Sequence, residues 1–147
     1  SHEEEYLLSN ALDLEDHSVK RVVIPFSQLI ITSARPTPAE IENLCATTGF
    51  SRFLVPGKKG TLKGYIHIKD VLQFADDTVH EPIAATHIRP LGMIRPVTSL
   101  RSALLSMQQA GSHVAQVVNA HGQVVGVAML EDVLEELIGT IRDETRK

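Results

Sequence analysis

Apolar residues recur at helical spacing in a segment that begins with a threonine and a proline. Ile41, Leu44 and Cys45 share one face of the predicted helix, and Gly49 follows as its end. The segment 37–40, Thr-Pro-Ala-Glu, is typical of a capping box with proline at the first helical position. The one cysteine of the chain therefore lies on an apolar helix face, where we expect it to be packed rather than reactive.

A second helix of the same design is predicted further along the chain. Ser99 is its expected N-cap and Gly111 its expected end. Its buried face is formed by Leu100, Ala103, Leu104 and Met107. A leading amphipathic segment, Glu3–Leu14, predicts an additional helix at the N-terminus.

Each of the two glycine-terminated helices is followed by a β-forming run, a turn and a second run. The runs are predicted at 53–55 and 62–68 and at 114–118 and 123–129, around turns at 57–60 and 119–122. A further short strand is predicted at Val22–Ile24, before Pro25. The second run of each hairpin leads into a helix that carries Asp-Val-Leu, so each half of the chain has the predicted order β-α-β-β-α.

The two halves are copies of one unit. A shift of 62 residues places Gly49 on Gly111, Val55 on Val117, Gly60 on Gly122, Gly64 on Gly126, and Asp70, Val71 and Leu72 on Asp132, Val133 and Leu134. This repeat predicts an α/β protein with a helix and linker at 1–18, a first repeat at 19–80, a second at 81–141 and a tail at 142–147. The segment 75–88 is expected to be an exposed connection between the repeats.

Composition limits the function. With 147 residues, 43% of them hydrophobic, and a net charge of −4, the chain is expected to be globular and to lack a basic surface for nucleic acid. A single cysteine allows no internal disulfide and favours a reducing compartment. The longest apolar stretch, Val124–Leu130, is too short to span a bilayer, and the acidic start Glu3–Glu5 is unlike a signal peptide.

The feature closest to chemistry is the junction at which a glycine-containing strand turns into a helix, at Gly64–Asp70 and again at Gly126–Asp132. A helix N-terminus favours an anion, and an aspartate beside it can accept hydrogen bonds from ribose hydroxyls. The alternative is that both aspartates simply complement their helix dipoles. Their duplication in register favours a shared ligand-binding design.

Phe50, Ser51 and Arg52 place an aromatic ring, a hydroxyl and a guanidinium at the start of a predicted strand. These groups suit adenine and phosphate, because arginine matches phosphate oxygens bidentately. The alternative is that Phe50 belongs to the core and Arg52 is a surface charge. The second repeat has Ser-His-Val at 112–114, so one of the two equivalent sites should be preferred.

Other candidates for chemistry have simpler explanations. Gly57–Gly60 lacks the Gly-Lys-Ser/Thr ending of a phosphate loop and fits a hairpin turn. The carboxylates Glu131, Asp132, Glu135 and Glu136 are typical of a solvated helix face. The sequence has no recognisable nucleophile and base, and its seven histidines have no metal-ligand spacing. We therefore expect no protein-built metal site, and the residues identify no catalytic group.

These residues resemble a tandem pair of CBS repeats, a Bateman-type module with pseudo-two-fold symmetry. The detail is similar to the pair of the magnesium/cobalt-efflux, haemolysin-like and cyclin M-type membrane proteins. The matching segments are Val22–Pro25, Gly49–Val55, Gly64–Asp70 and, most diagnostic, Gly126–Gly139. The resemblance extends from about Glu4 to Glu144.

The resemblance implies a homodimeric, non-catalytic regulatory module on the cytoplasmic face of the membrane, joined to a transmembrane domain of the same polypeptide that transports Mg or Co ions. It also implies that ATP or AMP, with or without Mg²⁺, binds in the cleft between the repeats. Carried over to this chain, Ile24, Phe50 and Ser51 would border adenine, Arg52 would meet phosphate, and Asp132 would hold the ribose.

Two positions depart from the family pattern. Pro25 is followed by Phe26 where the family usually has arginine, and Met129 replaces the usual ribose-binding threonine. The loss of that hydroxyl predicts weakened or lost nucleotide binding. Two alternatives therefore stay open: a dimerisation module without a ligand, and a CBS pair attached to a metabolic enzyme.

Overall fold

A computed structural model describes residues 17–145, and the helix predicted at Glu3–Leu14 lies outside the described residues. The chain divides into two compact units. We call Phe26–Leu91 the first unit, and the residues up to Pro25 together with those from Gly92 onward the second unit. The repeat boundaries 19–80 and 81–141, which mark the duplicated sequence, stay a prediction.

The order of elements confirms the predicted α/β repeat. In chain order they are β1 (Ile24–Pro25), α1 (Pro38–Thr48), β2 (Arg52–Pro56), β3 (Leu62–His67), α2 (Ile68–Val71), β4 (Gly92–Ile94), α3 (Leu100–Ala110), β5 (Val114–Val118), β6 (Val124–Met129) and α4 (Leu130–Thr145). Both halves therefore read β-α-β-β-α.

The ends of α1 and α3 follow from their local sequence. The Thr37 hydroxyl accepts a hydrogen bond from the Glu40 amide at 3.2 Å, and the Ser99 hydroxyl caps α3 in the same way. Gly49 and Gly111 end the helices with φ of 75° and 64°, a conformation that favours glycine. The capping box is completed differently from the prediction, because the Glu40 carboxylate accepts from the amide and hydroxyl of Ser33.

In the first unit, α1 and α2 pack with the antiparallel β2–β3 hairpin. The core consists of Ile41, Phe53, Val55, Ile66, Val71 and Ile83, and Leu44 and Cys45 pack against it. Cys45 is therefore packed, as expected. The segment 75–88 is largely exposed, but Ile83 anchors it, since its side chain is buried and its amide donates to the Pro36 carbonyl at 2.8 Å.

In the second unit, α3 and α4 pack with a four-stranded sheet of order β1-β6-β5-β4. β4 runs parallel to β5, whereas β6 is antiparallel to both β5 and β1. The core consists of Val19, Ile94, Leu100, Ala103, Met107, Ala115, Val117, Ala128 and Val133, with Leu104 partly buried against it. The buried face predicted for the second helix is confirmed.

Two local predictions were wrong in extent. Val22 belongs to a 3-10 helix, Val19–Val22, and the strand is Ile24–Pro25. The strand starts later than predicted because the preceding turn is held by Val19, whose side chain is buried in the core and whose amide donates to the Thr98 carbonyl at 2.8 Å. The helix of the first Asp-Val-Leu ends at Val71, after four residues. Beyond it the chain turns, and the Phe74 amide donates to the Val71 carbonyl.

Candidate functional site

At Gly126 and Gly64 a neighbouring segment approaches the hairpin closely. We call these the edge segments; they are residues 23–24 at Gly126 and residues 88–89 at Gly64. A Cβ on Gly126 would collide with the Ile24 carbonyl oxygen and lie 2.8 Å from the Val23 side chain. A Cβ on Gly64 would collide with the Arg89 carbonyl oxygen and lie 2.6 Å from the Ile88 side chain. Glycine is therefore required at both positions by the neighbouring backbone.

The edge segments also pair in the same register. Ile24 pairs antiparallel with Val127, the residue after Gly126. Arg89 bridges antiparallel to Tyr65, the residue after Gly64, with backbone hydrogen bonds of 2.9 and 2.8 Å. Ile24 in the second unit and Arg89 in the first unit thus hold equivalent positions.

The helices that follow the two hairpins begin in the same way. The Ile68 amide donates to the Ser51 carbonyl at 2.8 Å, and the Leu130 amide donates to the His113 carbonyl at 2.9 Å. Asp70 and Asp132 then stand at the third position of their helices. The duplicated sequence is therefore a duplicated geometry up to these two aspartates.

At Asp70 both carboxylate oxygens accept hydrogen bonds inside the protein. It accepts from the His67 amide at 3.1 Å and from Arg89 Nε and Nη2 at 2.8 and 2.7 Å. The hydrogen bonds from the guanidinium hold the pKa of Asp70 below its ordinary value, and the carboxylate raises the pKa of Arg89. This arrangement is a bidentate ion pair that ties α2 to residue 89.

At Asp132 the surroundings differ. The half-buried Asp132 borders a cavity of about 360 Å³ that is also lined by Arg21, Val22, Val23, Glu135 and Glu136. Arg21 Nε lies 3.2 Å from Glu136 Oε1, so the one guanidinium of the lining faces a glutamate. Within residues 17–145 the structure records no hydrogen bond or ion pair to the Asp132 carboxylate.

The six residues predicted to form the site fall into two sets. Ile24, Met129 and Asp132 lie in the second unit, where Ile24 belongs to β1, and Met129 ends β6 directly before α4. Met129 is the counterpart of His67, which caps α2 by accepting from the Lys69 amide at 3.1 Å. A thioether is a weak acceptor, so Met129 provides no comparable cap.

The second set, Phe50, Ser51 and Arg52, lies in the first unit between α1 and β2. Phe50 is 55% exposed, so the alternative that its ring belongs to the core is wrong. Arg52 is half-buried and stands opposite His67 in the hairpin. Burial, and after it the charge of Arg52, lowers the pKa of His67.

Several residues of these junctions were missed from the sequence. Arg21 and Glu136 meet at the cavity, and Arg89 pairs with Asp70, although nothing in the local pattern joins them. One signal was available: the triplet 88–90, Ile-Arg-Pro, repeats the pattern of 23–25, Val-Ile-Pro. Aligning these triplets would have identified residue 89 as the counterpart of Ile24.

Two features are absent from the described residues. None of the helices within residues 17–145 combines the length and the apolar character needed to cross a bilayer. Across the same range, no three His, Cys, Asp or Glu side chains are grouped so that they could hold a metal ion.

Comparison with known proteins gives sequence relatives over nearly the whole chain. Residues 84–139 match the sequence model of the CBS domain. An uncharacterized protein of Mycobacterium tuberculosis is 38% identical over 151 residues, covering 99% of this chain and 44% of the relative. Hemolysin C of Rickettsia prowazekii is 30% identical over 140 residues, covering 94% of this chain and 46% of the relative. The chain thus spans less than half the length of these curated relatives.

A solved structure has a similar fold. It is the CBS domain of the bacterial CNNM/CorC family Mg²⁺ transporter in complex with ATP, which superimposes with a TM-score of 0.77 at 24% identity. The match covers 93% of this chain and 98% of that one. At this level of identity the likeness establishes the fold.

Proposed function

The chain is a CBS-domain pair similar to those of the CNNM/CorC and hemolysin-like proteins, and we propose that it binds an adenine nucleotide as the regulatory module of a divalent-cation transport protein. The proposal places it on the cytoplasmic face of the membrane, as a homodimer joined to a transmembrane domain of the same polypeptide. The ATP complex of a similar CBS domain supports the choice of ligand.

The observation that carries the proposal is the carboxylate of Asp132 beside the cavity in the second unit. A carboxylate can accept hydrogen bonds from both hydroxyls of a ribose. The lining has three carboxylates and one guanidinium, so its charge disfavours phosphate and suits the sugar. We therefore assign the ribose to Asp132 and the phosphates to a position away from Glu135 and Glu136.

The remaining assignments extend the same proposal. The exposed ring of Phe50, together with Ser51 and Ile24, is assigned to adenine, and Arg52 to phosphate. Met129 has no hydroxyl to bond the ribose. We therefore expect this chain to bind nucleotide more weakly than a relative with threonine at that position. The ligand is ATP or AMP, with or without Mg²⁺.

The test is thermal unfolding with and without ATP and MgCl₂. A ligand that binds the folded state alone adds about 2.7 kcal/mol at one hundred times its Kd, so the midpoint should rise. Asp132→Asn should abolish most of the rise. Asp143→Asn, a matched change at an exposed position of the same helix, should keep it. Equal midpoints with and without ATP or AMP would favour the ligand-free dimerisation module.

The attachment to a transporter is tested on the full-length protein. Since the chain spans 44% of the Mycobacterium relative, the flanking sequence decides the identity of the whole protein. Hydrophobic spans preceding this segment, and Mg²⁺ or Co²⁺ flux that responds to nucleotide, are expected. A catalytic domain in that place would support the alternative of a pair attached to a metabolic enzyme.

A further inference from the structure

We propose that Arg89 acts as an internal ligand of Asp70 and closes the first of the two equivalent junctions, so that each chain binds one nucleotide, through Asp132. The inference rests on the proposed function for the identity of the ligand. The closure itself rests on contacts within the first unit.

Equivalence of the two junctions is the first step. Gly64 and Gly126 each admit an edge residue whose carbonyl would collide with a Cβ there, and these residues are Arg89 and Ile24. The helices then begin with the same amide-to-carbonyl bond and carry an aspartate at the same position. Up to the two aspartates, the junctions therefore differ in side chains rather than in backbone.

The side chain at the edge position is the decisive difference. Arg89 presents a planar fork of two donors, Nε and Nη2, and both oxygens of Asp70 are taken by it. Ribose hydroxyls would have to displace this ion pair, with loss of two charge-assisted hydrogen bonds. Isoleucine at position 24 offers no donor, so Asp132 keeps its acceptor capacity.

A second difference acts in the same direction. Asp70 also accepts from the amide of His67, which completes a reciprocal capping box on a helix of four residues. Asp132 lies at the third position of a helix of 16 residues, and Met129 stands in place of the capping histidine. Asp70 thus caps its own helix, whereas the Asp132 carboxylate can accept hydrogen bonds from a ligand.

The first experiment transplants the edge residue and needs no nucleotide. Ile24→Arg should pair with Asp132 as Arg89 pairs with Asp70, and its melting midpoint should lie about 2–4 °C above that of Ile24→Met. The gain should vanish in the double variant Ile24→Arg, Asp132→Asn. A midpoint that does not depend on Asp132 would overturn the equivalence of positions 24 and 89.

The second experiment measures stoichiometry and affinity by calorimetric titration with ATP. We expect one site per chain, a loss of at least about tenfold in Asp132→Asn, and an affinity within about threefold of the parent in Asp70→Asn. Two sites per chain, or equal losses in the two aspartate variants, would overturn the closure of Asp70. If the parent binds neither ATP nor AMP, the proposed function fails, and the transplant experiment still decides whether residue 24 corresponds to Arg89.

Discussion

Arg89 donates from Nε to Asp70 Oδ2 at 2.8 Å and from Nη2 to Asp70 Oδ1 at 2.7 Å, across 19 residues of sequence. The pair fastens the edge segment to the start of α2. Because the Asp70 side chain is 16% exposed, the pair is better shielded than a typical surface ion pair, although Arg89 at 45% is partly solvated.

This pair predicts a specific pH dependence of stability. The pKa of Asp70 is lowered from its ordinary value of 3.8, so the contribution of the pair is fully present above that pH. It is lost as the pH falls through the lower pKa of the folded state. Urea unfolding between pH 7 and pH 2 should show this loss in the parent and a smaller loss in Arg89→Met. Parallel pH profiles for the two proteins would contradict the role of the pair.

His67 predicts a second dependence, at higher pH. Its Nδ1 accepts from the Lys69 amide, which requires the neutral ring, and burial lowers its pKa from 6.5. As the pH falls, His67 therefore binds a proton in the unfolded chain before it does so in the folded protein. The contribution of His67 to stability is complete above pH 6.5 and is lost as the pH falls toward the pKa of the folded state. His67→Asn keeps a capping oxygen without titrating there. The difference in unfolding free energy between parent and variant should change between pH 7.5 and 5, whereas a constant difference would contradict the prediction.

Met129→Thr should bind adenine nucleotide more tightly than the parent. One recovered hydrogen bond contributes on the order of 0.5–1.5 kcal/mol, which is a few-fold to about tenfold in Kd. Adding Asp132→Asn to Met129→Thr should reverse the gain, because both groups are assigned to the ribose. Calorimetric titration of the folded variants measures this. Unchanged or weaker binding by Met129→Thr would contradict the assignment of the ribose to this junction.

Arg52→Ala should weaken the binding of ATP more than that of AMP. The guanidinium is assigned to the distal phosphates, which AMP lacks. Titration of the same variant with both nucleotides gives the comparison, and Lys63→Ala, an exposed position of β3, is a control for the loss of one positive charge. Equal losses for ATP and AMP would place Arg52 away from those phosphates.

The long helix α4 predicts self-association. Leu134, Ile138 and Ile141 are each more than 40% exposed and lie on one face, an arrangement that favours contact with a second apolar surface. Light scattering should give about twice the chain mass of 16.1 kDa. Ile138→Glu should shift the mass toward the monomer, whereas Val97→Glu, an exposed valine outside the helices, should not. A parent that stays monomeric at high concentration would contradict the homodimer.

Features that depend on neighbours in sequence were predictable. Thr37 and Ser99 cap their helices, and Gly49 and Gly111 end them, because a helix end is decided within one turn. The hairpins and the β-α-β-β-α order followed from alternation and from the 62-residue repeat. The repeat also identified Asp70 and Asp132 as equivalent before any geometry was known.

Tertiary structure decided which of the equivalent residues are available. The sequence alone could not assign β1 to the edge of β6, since an edge strand of two residues carries too little pattern to select its partner. Nor could it pair Arg89 with Asp70 or place Arg21 beside Glu136, because such contacts join distant segments and depend on how the backbone brings them together. The repeat made the two aspartates alike, and the residue packed against each hairpin made one an internal salt bridge and left the other beside a cavity.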